Sequence, residues 1–266
     1  MKNSIKNIFI GLTIVGILGA CSNEGRKLND TETTASNKDK LIIGLDDTFA
    51  PMGFRDNNGE LVGFDIDLAK DVGARIDKEI EFQSIDWVMK ETELNANNID
   101  MIWNGYTITD EREEKVDFSN PYMDNSQIIV VLEESSIQTK DDLEGKVVSA
   151  QQSSSALDAI LNDTSGISDK FKNGEIIQFP SNNDVFNDLA SGRSEAIVVD
   201  ETLGRYYMKQ NEQIAFRVWN DSFGEEEYAI GFRKDDGELR ELINETLKEI
   251  VEDGTYDEIY SKWFVE

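Results

Sequence analysis

The stretch Ile102-Trp103-Asn104-Gly105-Tyr106-Thr107-Ile108-Thr109-Asp110-Glu111-Arg112 collects groups able to hold a small anion. Asp100-Met101-Ile102-Trp103 reads as the end of a strand, and Gly105 permits a close approach of backbone. Thr109 is an N-cap residue type, and Asp110 and Glu111 fall in a first helical turn, where acids are favoured. A strand that feeds a helix in this way leaves N–H and hydroxyl donors exposed at the junction. Arg112, three residues past the cap, adds a permanent cation whose planar fork matches a carboxylate through two parallel bonds. The same arginine would also suit the solvated face of a capped helix, so its surroundings must decide between the two readings.

Those surroundings alternate strand and helix. Leu41-Ile42-Ile43-Gly44-Leu45 is an apolar strand, followed by a Gly/Pro-punctuated loop from Asp46 to Phe54 that mixes aromatic and acidic residues. With Asp65 as N-cap, Ile66, Ala69, Val72, Gly73 and Ile76 recur at helical spacing to Asp77. Ile80 to Gln83 alternates like a strand, and Asp86 to Ala96 reads as a helix carrying Trp87. Gln127 to Leu132 is another apolar strand, after which a second series starts. It comprises a strand at Val147-Val148-Ser149, a helix opening at Gln151 to Ser155, a strand at 176–179, a helix at 182–191 and a strand at 196–199 ending on Asp200. Asp200 heads a helix to about Lys209. The chain returns through a strand at Tyr228 to Phe232, a helix from Gly237 to Glu252 and a last segment from Tyr256 to Phe264. Such alternation implies parallel sheets with crossover helices. Two series joined by two strand-like crossings imply two lobes with a cleft between them.

Composition narrows the chemistry. Lys2 and Lys6 precede an apolar run from Ile8 to Ala20, shorter than the roughly 20 residues a membrane-spanning helix needs, so residues 1–20 are expected to be a signal peptide. The run ends Leu18-Gly19-Ala20-Cys21, and Cys21 is the only cysteine, which excludes an intramolecular disulfide. Residues 22–40 are polar, and 21–40 are expected to form a flexible tether. Without the first twenty residues the chain keeps 26 − 2 = 24 basic against 54 acidic residues, a net charge of −30. Nucleic acid is therefore a poor partner. There is no histidine, so neither a Ser-His-Asp triad nor a His-bearing zinc site can form. No cofactor or metal is expected.

Six motifs occur in order between Leu41 and Phe264: Asp46-x-x-Phe49-x-Pro51-x-x-Phe54, Gly59-x-x-x-Gly63-Phe64-Asp65-x-Asp67-Leu68, Thr107-Ile108-Thr109-x-x-Arg112, Asp117-Phe118-Ser119-x-Pro121-Tyr122, Asp142-Leu143-x-Gly145-Lys146 and Asp253-Gly254-Thr255-Tyr256. Together they resemble the polar amino-acid binding proteins of ABC importers, extracellular solute-binding family 3. The Leu-Gly-Ala-Cys ending likewise resembles a bacterial lipobox, which implies lipidation at Cys21 and an extracytoplasmic protein anchored to the cell membrane. The resemblance implies an α/β, two-lobed clamshell of the periplasmic-binding-protein type II class with two crossing strands. Its first lobe would take residues 41–128 and a return part, 226–266, and its second lobe residues 129–225. It implies that Arg112 grips a ligand α-carboxylate with backbone N–H groups at Thr107 and Ser154, and that Asp200 pairs with the α-ammonium beside the Gly105 carbonyl and the Thr107 hydroxyl. Asp46, Phe49, Trp87 and Asn104 would line the side-chain pocket. Two positions depart from the pattern: Asn104 stands where a small residue is usual and Gln152 where Gly is usual. The first bears on pocket size and the second on the donors near Ser153 and Ser154.

Plainer roles exist for the same residues: Asp200 as an N-cap, Phe49 and Trp87 as core aromatics, Asp46 as a turn acid, and Glu225-Glu226-Glu227 as a solvated acidic turn. The function expected is a monomeric, non-enzymatic receptor that passes a free amino acid to a permease and its ATPase. Two alternatives stand beside it. One is a cyclohexadienyl or arogenate dehydratase-like enzyme on the same fold with Glu225, Glu226 or Glu227 as general acid, and the other is a ligand sensor. Among ligands, basic side chains are expected to be favoured weakly through the π faces of Phe49 and Trp87 and the charge of Asp46.

Overall fold

The computed structural model describes residues 35–264. The expected signal peptide, Cys21 and most of the expected tether lie outside the described residues. The strands are β1 (Lys40–Leu45), β2 (Thr48–Phe49), β3 (Gly53–Arg55), β4 (Leu61–Val62), β5 (Glu79–Ser84), β6 (Met101–Thr107), β7 (Asp117–Phe118), β8 (Met123–Leu132), β9 (Val148–Gln151), β10 (Ile176–Phe179), β11 (Ala196–Asp200) and β12 (Phe216–Phe232). The helices are α1 (Phe64–Arg75), α2 (Lys90–Asn95), α3 (Asp110–Lys115), α4 (Ser155–Leu161), α5 (Asn182–Ala190), α6 (Glu201–Gln210), α7 (Gly237–Glu252) and α8 (Thr255–Phe264).

One sheet runs through the molecule in the order β10-β9-β11-β8-β12-β6-β1-β5, with β7 paired to β12. At each flank the strands are parallel: β5, β1 and β6 on one side, β10, β9 and β11 on the other. In the middle β8 and β12 run antiparallel to each other and to their outer neighbours β11 and β6. The two crossings read in the sequence are therefore a single antiparallel ribbon joining two α/β halves. Its register shifts between Val218 and Ser222 and again between Ser222 and Glu225.

Apolar runs account for the buried strands. All seven residues of β6 and all five of β11 are buried, as expected where helices cover both faces of a parallel sheet. Leu41, Ile43, Phe64, Leu68, Trp103, Ile230, Phe232, Leu239 and Ile243 belong to one packed core, and Ile129, Val131, Val148, Ala150, Ile160 and Val198 to another.

Four expectations need correction. The tether does not extend to residue 40, because Ala35–Asn37 form a 3-10 turn packed on α7, with Ala35 buried and Ser36 donating to Glu238 at 3.0 Å. Its polar composition hid these local partners. Asp65 is not the N-cap of α1; Gly63 holds that position, and Asp65 lies in the first turn with its carboxylate turned inward. The loop after β1 contains β2 and β3, which pair with β4 as a small antiparallel sheet. The return strand begins at Phe216 rather than Tyr228, because its first part is an irregular ladder whose apolar residues do not alternate cleanly.

Candidate functional site

Thr109 caps α3 as its residue type suggested, accepting the backbone N–H of Arg112 at 3.2 Å. The cap fixes where the arginine leaves the helix, and its side chain runs back under the end of β6. Arg112 is 3% exposed. It donates to the carbonyls of Thr107 at 2.9 Å and Ser153 at 3.4 Å and lies 4.6 Å from the centre of the Tyr106 ring. Among the described residues no carboxylate pairs with it. A buried arginine whose fork meets backbone carbonyls and no carboxylate in direct contact keeps donors and charge to offer a ligand, although Asp158 and Glu111 feel its field from farther off.

Asp200 presents the opposite case. It occupies the N-cap position of α6 yet makes no side-chain cap bond. The residue is 4% exposed, and its carboxylate accepts from Asn125 Nδ2 at 2.8 Å, Gln127 Nε2 at 3.1 Å and the Tyr228 hydroxyl at 2.8 Å. No lysine or arginine among the described residues forms an ion pair with it. Burial, and then the neighbouring Glu226, push its carboxyl well above the usual range. The reading of Asp200 as a simple cap is thus overturned.

Thr107 bonds Arg112 on one side and Glu226, the neighbour of Asp200, on the other. Its carbonyl holds Arg112, while its hydroxyl bonds Ser155 Oγ at 3.1 Å and Glu226 Oε1 at 2.9 Å. Gly105, one turn of the pleat earlier, has φ +54, and a Cβ there would sit 2.8 Å from the Phe49 ring and 3.1 Å from Tyr228. Only glycine fits this conformation and this space. Phe49 thus packs on the backbone of the site. Ser154 caps α4, its Oγ accepting from Leu157 N at 3.2 Å and donating to the Gln151 carbonyl at 2.7 Å.

The other expected pocket residues are already engaged. Asp46 accepts from Thr48 N at 3.0 Å, Thr48 Oγ1 at 2.6 Å and Gln151 Nε2 at 2.8 Å, the last from the opposite half of the molecule. Asn104 Oδ1 accepts the Asp46 N–H at 3.0 Å, which leaves its Nδ2 without a partner among the described residues. Trp87 belongs to a core cluster with Leu94, Ile99, Ile102 and Tyr106, and the Lys90 ammonium stands 5.1 Å from its ring centre. The π face expected to meet a cationic ligand therefore already meets a lysine of the protein, and the charge of Asp46 is spread over three donors.

Several participants were not singled out in the sequence. Lys90 is buried and donates to the Trp87 carbonyl at 3.3 Å and to Ser153 O at 3.1 Å, the same carbonyl that Arg112 reaches. Burial, and then Arg112, push its pKa down to about 8. Ser153 adopts φ +54, a left-handed conformation uncommon outside glycine, which turns that carbonyl toward the two cations. No local pattern marks a lysine for such a place. Asp65 carries a signal, since it lies in one of the six motifs, but its residue type suggests a cap rather than a buried carboxyl.

Asp65 accepts the Gly105 N–H at 2.7 Å and so fixes the strained glycine from behind. Burial outweighs that bond and lifts its carboxyl from 3.8 to about 7. The folded protein consequently holds a proton that the unfolded chain releases across this window. Asp65 stabilises the fold fully below about pH 3.8, and that contribution is lost as pH rises through 7. Asp65→Asn keeps an oxygen for Gly105 but cannot ionise. Its stability relative to the parent is expected to rise between pH 4 and 7 by on the order of 3–4 kcal/mol. Urea midpoints of both proteins at several pH values test this, and parallel curves would contradict it.

Residues 41–266 match the family of bacterial extracellular solute-binding proteins, family 3. The chain belongs to this family. The chain is similar to a substrate-binding protein of an ABC uptake transporter from Streptococcus pneumoniae, solved with bound histidine, with a TM-score of 0.84 and 37% identity over 90% of this chain and 97% of that one. Arginine-binding extracellular protein ArtP of Bacillus subtilis is 31% identical over 262 residues, 97% of this chain and 96% of the relative. Glutamine-binding protein GlnH of the same organism is 29% identical over 278 residues, 100% of this chain and 98% of the relative. The two α/β halves and the crossing ribbon are accordingly the lobes and connection of a type II periplasmic-binding-protein fold. Substrate binding for an ABC transporter is the role that goes with this family 3 membership.

Proposed function

We propose that this protein captures one free polar amino acid as a zwitterion and delivers it to an ABC permease. The observation that carries the reading is the buried Arg112, which forms no ion pair, and the buried Asp200, which faces no cation among the described residues, joined by a hydrogen-bond chain through Thr107, Glu226 and the shared amides of Asn125 and Gln127. Arg112 receives the α-carboxylate, assisted by the backbone N–H groups of Thr107 and Ser154. Asp200 receives the α-ammonium, with the Gly105 carbonyl and Thr107 hydroxyl beside it. Phe49 and Asn104 stand closest to the ligand side chain; Asp46 and Trp87 shape that pocket from behind through Gln151 and Lys90. The protein acts as a receptor rather than an enzyme, held to the cell membrane by lipid on Cys21, and works as a monomer.

Thermal unfolding against the twenty amino acids and cystine tests the reading. A ligand at 100 times its dissociation constant should add roughly 2.7 kcal/mol to stability. Arginine, lysine, histidine, glutamine and cystine are the expected binders, with glutamate the weakest because of the strongly acidic chain. Stabilisation by glutamate above all others would reverse the charge argument.

A second expected result concerns motion. We take 41–128 with 226–266 as one lobe and 129–225 as the other, so that Arg112 and Asp200 lie on different lobes. A zwitterion touches both only when the lobes are shut. The bonds from Gln151 to Asp46 and from Lys90 to Ser153 O belong to that shut state. Saturating ligand should lower the radius of gyration in small-angle scattering as β8 and β12 bend near 126–132 and 221–228. An open starting state with no change at saturation would count against it.

One observation favours a second reading: Glu226 lies against Asp200 and Thr107, where the dehydratase alternative requires a general acid. Turnover of prephenate or arogenate by the purified protein would replace the receptor reading.

A further inference from the structure

Glu226 does not behave as a member of a solvated acidic turn. It is half-buried, and one of its oxygens, Oε1, accepts from Thr107 Oγ1 at 2.9 Å, Asn125 Nδ2 at 2.5 Å and Gln127 Nε2 at 2.7 Å, with Ser155 Oγ at 3.5 Å. The two amide nitrogens are the same two that bond Asp200. Two carboxylates are thus held side by side on shared donors, and Asn125 is locked in that orientation because its Oδ1 accepts from Thr202 N and Oγ1. Gln127 is 1% exposed, and its Oε1 has no donor among the described residues. Acceptors of Asp200 and Glu226 therefore meet with no cation among the described residues beside them, and the amide next to them keeps an acceptor without a donor. An ammonium group offers what they lack, a positive charge with three N–H donors.

We propose that Glu226 is the second carboxylate of the ammonium subsite and that the site gives up a proton to solvent as the ligand's charge enters. This rests on the zwitterion reading above. The exchange balances: a carboxyl O–H in the pair loses its proton to the buffer, and the resulting carboxylate and the incoming R–NH3⁺ form the ion pair, so no net charge is added to the buried site. Burial beside a second carboxylate favours the protonated form of Asp200. Burial and Glu226 raise the Asp200 carboxyl in the direction this requires. The groups facing the pair are Tyr228 on β12, Asn125 and Gln127 on β8, Thr107 on β6 and Ser155 on α4. Asp124, Glu201, Glu225 and Glu227 surround the adjoining cavity of about 700 Å³, so its titratable neighbours add negative charge only. Arg112 reaches the network through the carbonyl of Thr107.

The test is titration calorimetry of the whole protein with arginine, lysine, histidine, glutamine or cystine, whichever stabilises it most, at one pH in phosphate and in Tris. The parent protein is expected to release up to about one proton per ligand, seen as a buffer-dependent enthalpy. Glu226→Gln should lower affinity roughly tenfold or more and reduce the release, the part due to burial of Asp200 remaining. Glu226→Asp should restore part of both, and thermal unfolding of each variant confirms that it is folded. Buffer-independent enthalpy in the parent, or a Glu226→Gln protein with unchanged affinity and proton count, overturns the proposal. If Asp200→Asn still abolishes binding in that case, the zwitterion reading stands without Glu226. If Asp200→Asn binds like the parent, both fall together.

Discussion

Replacing Arg112 by lysine is expected to cost at least about 2 kcal/mol of ligand affinity, roughly thirtyfold, with the fold retained. The guanidinium already divides its donors between the carbonyls of Thr107 and Ser153 and stacks on Tyr106. It can do so and still present a fork to a carboxylate because five N–H groups are fixed in one plane. A lysine has three donors on one atom and cannot serve two carbonyls and a ligand from a single position. Lys90, already pressed against the same Ser153 carbonyl, would stand beside a second ammonium. Affinity measured by calorimetry decides the matter, and an unchanged dissociation constant would remove Arg112 from the site.

The largest loss of stability is expected from Arg233→Met, about 3–5 kcal/mol, with ligand affinity of the folded fraction unchanged. Arg233 is buried at the end of the return strand and donates to the carbonyls of Leu94 at 3.1 Å and Ile99 at 2.6 Å. It also pairs with Asp100 at 3.1 Å and Asp236 at 2.6 Å. Asp100 accepts in addition from Lys38 and from the Ile42 N–H, which ties β1, the entry to β6 and the end of β12 into one charged knot. Methionine matches the stem but leaves Asp236 without its cation and removes the Arg233 donor from the Ile99 carbonyl, while the Leu94 carbonyl keeps the Asn97 N–H. A urea midpoint shifted with no change in slope is the expected signature. An Arg233→Met protein as stable as the parent would mean that water replaces these bonds at little cost.

These two arginines mark the limit of what the sequence discloses. Arg112 was legible because its cap, its strand and its motif are contiguous, so local chemistry sufficed to place it. Asp200 was legible as the end of a buried strand, although a good cap residue in a cap position hides the fact that the side chain faces elsewhere. Arg233, Lys90 and Glu226 were not legible as they are used, because their partners lie far off along the chain. Arg233 meets residues 139 and 134 positions away, and Glu226 meets one 119 away. The strand and helix alternation survived because periodicity is local. The 17-residue β12 did not, since its first part pairs through interrupted ladder and its side chains follow no steady period.

The central position of β12 also dictates an order of events during folding. The sheet sets it between β8 and β6, so β6, made from residues 101–107, waits for residues 228–231 before its inner edge is covered. Without β12 the sheet would be left as two halves, each with a long apolar edge strand able to pair with another chain. Contacts of such sequence separation slow folding, because loop closure must precede the reward of pairing. A chain truncated before Phe216 would therefore leave β6 and β8 both exposed, and is expected to aggregate rather than yield one working lobe.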